Sequence, residues 1–121
     1  MKILEAVAEH MITHLLKVCK DELGLSEIPD IKFLETPAVP GTTSFGVFQN
    51  GSIQVVTLNR HPIDVSRTLA HELVHWKQEQ DGRAMDGETG SEIENEANAT
   101  AGIIMRKFGE MYPQYFADIL P

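Results

Sequence analysis

Apolar spacing divides the chain into a helix, a group of short strands and two further helices. Over residues 2–23, Ile3, Leu4, Val7, Met11, Leu15, Val18 and Cys19 recur at helical intervals and predict a helix with a broad apolar face. Gly24 is a natural stop for it. Ile31-Lys32-Phe33-Leu34 reads as a short strand between Pro29 and Pro37, and residues 37–43 read as a loop. Phe45 to Gln49 and Ser52 to Leu58 are rich in strand formers and flank Asn50-Gly51. That dipeptide accepts the positive φ of a type I′ turn, so the two runs predict a hairpin. Residues 31–58 thus predict a small, mostly antiparallel sheet of about three strands.

The spacing becomes helical again after Pro62. Val65, Leu69, Leu73 and Trp76 form one face, which Ala70 and Val74 widen, and Asp81-Gly82 ends the helix near Gln80. Pro62 and Asp64 suit its first turn. Residues 81–91 read as a glycine-rich loop. A last helix is expected over 91–109, with Ala97, Ala101, Ile104, Met105 and Phe108 as its stripe and Gly109 as its end. The aromatic tail Met111 to Phe116 is expected to pack back on the body. The fold class expected is α+β, the sheet packed on a central helix with one helix before it and one after.

A length of 121 residues suits a single domain over 1–121, and 42% hydrophobic residues are enough for a core. The net charge of −8 argues against nucleic acid or an anionic membrane as partner, since both would repel the chain. A lone cysteine, Cys19, excludes an internal disulfide. Glu5, Glu9 and His10 interrupt any signal-peptide core, and no apolar run reaches membrane-spanning length. A soluble cytoplasmic protein is therefore expected, with a virion-associated or injected protein as the alternative.

Chemistry enters with His71-Glu72-Leu73-Val74-His75. Histidines at i and i+4 stack on one helix face, close enough to grip one metal ion, and the glutamate projects beside them as a general base. Buried, hydrogen-bonded histidines are the plainer reading, but they leave the charge of Glu72 to be explained on a mostly apolar helix. His10 and His14 share the i, i+4 spacing. Met11 follows the first of them, however, so no base accompanies that pair, and a solvated helix surface is expected for both.

Catalytic zinc takes three protein ligands and keeps one position open. Gln78 and Asp81 stand where a metzincin would have its glycine and third histidine, so a third ligand must come from elsewhere. Cys19 lies far upstream. Of Glu92, Glu94 and Glu96, only Glu94 shares a face with Asn98 and Ala101 beside the apolar stripe. The other two lie about 200° away around the helix. The metal ligands expected are therefore His71, His75 and Glu94, with Glu72 as the catalytic residue.

His71-Glu72-Leu73-Val74-His75 followed by Glu94-Asn95-Glu96-Ala97-Asn98 resembles the gluzincin group of zinc metallopeptidases over residues 45–105. The small size is similar to minimal domains encoded by phages and mobile elements. The resemblance implies a zincin-like fold, a Zn2+ cofactor and Glu94 as third ligand. It also places Asn98 where the group often has an aspartate that orients a ligand histidine, here without the charge. The strand from Ser52 to Thr57 would be the edge to which an extended substrate adds. The activity implied is hydrolysis of peptide or protein substrates by a zinc-bound water that Glu72 deprotonates. Two alternatives are a zinc-binding scaffold with little or no peptidase activity and a zinc amidase acting on cell-wall peptide. Tyr112, Tyr115 and Arg106 are candidates to stabilise the oxyanion, set against aromatic packing and a surface ion pair. His61 is expected at the surface and Trp76 in the core.

Overall fold

In a computed structural model, residues 2–35, 45–58, 60–83 and 91–116 are described, with side chains of the first helix from Glu9 onward. The expected loop over 37–43 lies outside the described residues, as do residues 84–90 of the expected 81–91 loop and the side chains of Ile3, Leu4 and Val7. Helix α1 spans Lys2–Leu23, strands β1, β2 and β3 span Asp30–Leu34, Gly46–Gln49 and Ser52–Val56, helix α2 spans Pro62–Gln80, and helix α3 spans Glu92–Met111. A 3-10 turn follows at Pro113–Tyr115. The architecture is α+β. No described helix is long and apolar enough to cross a membrane.

The sheet is mixed rather than mostly antiparallel. Its order is β1-β3-β2, with β1 parallel to β3 and β2 antiparallel to it. Asn50 and Gly51, at φ 53° and 72°, make the expected hairpin turn and pair Gln49 with Ser52. The hairpin leaves one edge of β3 for β1, which pairs from Asp30 opposite Ser52 to Leu34 opposite Val56. Burial explains the order. Ile53, Val55 and Val56 are all buried, whereas β1 exposes Lys32 and Phe33, and β2 exposes Val47 and Gln49. The most apolar strand takes the centre and the polar ones take the edges.

Helix α2 is the hub, packing on α1, α3, β2 and β3. Its Leu69, Ala70, Leu73 and Val74 join Leu15 and Cys19 of α1, Ile53 and Val55 of β3, and Ala97, Ile104 and Phe108 of α3 in one core. Trp76 is only half-buried and meets Phe48 edge-on, with ring centres 6.1 Å apart, rather than entering that core. The exposed His61 caps α2, its Nδ1 accepting from the backbone N–H of Ile63 at 3.1 Å. At the other end Gly82 adopts φ 77°, and the N–H groups of Gly82 and Arg83 donate to the carbonyls of Glu79 and Gln78. This Schellman turn stops α2 and folds Arg83 back over its last turn.

Helix α3 runs through Gly109 to Met111. Gly109 therefore does not end the helix, and a Cβ there would make only ordinary contact, 3.5 Å, with the ring of Phe116. The tail packs back as expected, and in doing so it corrects the reading of His14. That histidine is half-buried, stacks on Tyr112 with ring centres 4.3 Å apart, and shares a 2.6 Å hydrogen bond with the Tyr115 hydroxyl. His10 is exposed as expected.

Candidate metal centre

Two helices build the centre. Helix α2 supplies His71 and His75, one turn apart, and α3 supplies Glu94 from its first turn. Ser91 caps α3 by accepting from the Glu94 N–H at 3.2 Å, which holds that residue at the positive end of the helix dipole. The two Nε2 atoms of His71 and His75 lie 3.1 Å apart. Oε1 of Glu94 is 3.2 Å from Nε2 of His71, and Oε2 is 2.9 Å from Nε2 of His75. Among the described residues this is the one group of three potential ligands whose donor atoms all lie within 4.8 Å of one another.

The donor set fits a metal ion. Two imidazole nitrogens and a carboxylate converge on one point, an arrangement that could hold a metal ion between them. Donors around a tetrahedral zinc at 2.0–2.1 Å stand about 3.3 Å apart, close to the separations found here. The His71 pKa is lowered, first by burial and then by His75, against the opposing pull of Glu94 and of a hydrogen bond with Asn98. Burial and His75 thus favour the neutral imidazole, the form that can bind a metal. The bond places Asn98 in contact with His71.

Glu72 is buried beside the ligands. Its pKa is raised to about 7, mainly by burial and further by the charge of Glu94. Strand β2 passes directly over it: a Cβ on Gly46 would stand 3.0 Å from Oε2 of Glu72 and 2.5 Å from Cγ2 of Thr68. Only glycine lets the strand come so near. The strand edge beside the site therefore belongs to β2. The expected edge, Ser52 to Thr57, is the central strand, paired on both sides.

Several candidates lie elsewhere. Cys19 is buried on α1, with its thiol pushed up to about 12 by burial. Arg106 and Tyr112 are 12 and 18 residues along α3 from Glu94, about 18 and 27 Å at 1.5 Å per residue. Tyr115 packs with Tyr112 against His14. None of the three can serve as the oxyanion donor.

Gln78 is the residue that sequence reasoning missed. It is buried, and its Oε1 lies 2.8 Å from Nδ1 of His75. Its Nε2 donates to the Ile93 carbonyl at 3.1 Å and to Oε1 of Glu96 at 3.0 Å. Glu96 is exposed, as expected, but it also pairs with Arg83. The available signal was spacing: Gln78 follows His75 by three residues, on the same helix face.

Compared with known proteins, the chain matches no family model, no curated protein and no solved structure.

Proposed function

We propose that the chain is a zinc-dependent peptidase with a zincin-like fold and a gluzincin-type metal site. The observation that carries this reading is the convergence of His71, His75 and Glu94 on one point, with Glu72 buried alongside. Two imidazoles and a carboxylate are the protein ligands of one class of catalytic zinc site. Zinc held there polarises a peptide carbonyl and lowers the pKa of water. Glu72, whose proton affinity is raised, takes the proton from the attacking water and returns it to the leaving amine.

Strand β2 suits the substrate. Phe45 accepts from the Val56 N–H at 2.8 Å, so pairing alternates onward and the main-chain groups of Gly46 and Phe48 face away from β3. An extended peptide pairing with them would pass beside Glu72.

Elemental analysis, together with cleavage assays on denatured protein and a peptide library with chelator controls, tests the reading. Glu72→Gln should retain zinc and lose about 10²-fold or more of the cleavage rate. Undiminished cleavage in that variant overturns the mechanism, and a fully loaded His71→Ala overturns the ligand assignment. The distance of Tyr112, Tyr115 and Arg106 from the centre supports a second reading, a zinc-binding interaction protein. A zinc-loaded wild type that cleaves nothing, including a cell-wall peptide added to the panel, would select it.

A further inference from the structure

We infer that Gln78 is a positioning residue that determines which nitrogen of His75 binds the metal, and that Glu96 and Arg83 hold Gln78 in the orientation this requires. The inference rests on the metal-site reading above. The Gln78 side chain is 1% exposed, so its amide must find its partners inside the protein. One end of that amide meets the Ile93 carbonyl and a Glu96 carboxylate oxygen. Both only accept hydrogen bonds, so the NH2 group must occupy that end. Reversed, the amide would set its oxygen against two other oxygens.

The amide oxygen therefore faces His75. Since it can only accept, Nδ1 of His75 must be the nitrogen that carries hydrogen. In the neutral ring Nε2 then keeps its electron pair, and Nε2 is the atom turned toward His71 and Glu94. The tautomer needed for binding is thus set before any ion arrives.

Arg83 and Glu96 complete the chain of contacts. The Schellman turn at Gly82 brings the Arg83 N–H to the Gln78 carbonyl at 3.1 Å, and the Arg83 guanidinium pairs with Glu96. Glu96 in turn polarises the amide NH2 of Gln78, which strengthens the oxygen at its other end as an acceptor. A carboxylate at position 78 could not substitute, because it would face Glu96 and the Ile93 carbonyl with no hydrogen to offer.

The test measures zinc affinity of the full chain by competition with a chromophoric chelator, and the His75 tautomer by ¹⁵N chemical shifts of the metal-free protein. Gln78→Met should weaken zinc binding about 10- to 100-fold and populate the Nε2–H tautomer. Gln78→Glu should not restore affinity. Glu96→Gln, a surface change that leaves the fold intact, should lose roughly threefold to tenfold. Wild-type affinity in Gln78→Met and Glu96→Gln, with Nδ1–H retained, overturns the inference while leaving the metal site standing. A wild type that binds no zinc removes the metal-site reading, and this inference with it.

Discussion

Glu72 places a carboxylate where the fold disfavours its charge. Its pKa is about 7 against an ordinary 4.5, a gap equivalent to about 3 kcal/mol. The folded-state value is the raised one, so the acid is neutral in both states below pH 4.5 and no penalty exists there. The penalty grows as pH rises toward 7 and is complete above it. Chelated Glu72→Gln should therefore be more stable than chelated wild type at pH 8, by up to about 3 kcal/mol, and equal to it at pH 4. Urea unfolding at the two pH values checks this, and coincident curves at pH 8 would contradict it. Cys19 poses a simpler residue-scale question. Its thiol is pushed from 9.0 to about 12 by burial, so thiolate at pH 8 is about a thousandfold scarcer than in a free cysteine. Labelling of the native protein by a thiol reagent should be slower by at least that factor and should accelerate in urea along with unfolding. Rapid labelling of folded protein would show that the core packed against α1 does not cover it.

At the scale of elements, the decisive contact is β2 against α2. Gly46→Ala puts a methyl group 2.5 Å from Thr68 and 3.0 Å from Glu72, so the strand or the Thr68 and Glu72 side chains must shift. Peptide cleavage should fall by at least about tenfold, since small misplacements at a reacting centre are amplified in rate, while zinc content stays full. Unchanged cleavage would mean that β2 does not guide substrate. The existence of β2 was legible, because Asn50-Gly51 is a local signal that acts through backbone sterics. The place of β1 was not. A parallel partner has no local turn to announce it, and β1's position follows from which strand is most deeply buried. The same division runs through the metal site. His71, His75 and Glu94 were legible because helix geometry converts spacing into direction. Gln78 was not singled out, since its role depends on how α3 crosses α2, which brings the Ile93 carbonyl and Glu96 to one end of its amide. Gly109 misled because glycine ends a helix only where the backbone turns left-handed, as at Gly82, and α3 stays helical through Gly109 to Met111.

For the whole molecule, the candidate metal centre lies between two helices that meet at the hub of the fold. His71 and His75 belong to α2, Glu94 to α3, and Gln78 spans the same crossing through the Ile93 carbonyl. An ion held by all three side chains would bridge the two helices where they must stay together. Bound zinc should therefore stabilise the entire fold. Mass action sets the size: free zinc at 100 times its Kd adds about 2.7 kcal/mol, and each further tenfold adds about 1.4. Unfolding free energy measured against buffered free zinc should follow that slope and flatten below the Kd. Glu94→Gln keeps the shape of the side chain but removes the charge, so it should move the onset to higher zinc. Amide exchange in the first turn of α3 should slow in parallel with loading, because that turn carries the ligand contributed across the crossing. A stability that stays level over the whole zinc range in the wild type would show that the convergence of His71, His75 and Glu94 is not a metal site.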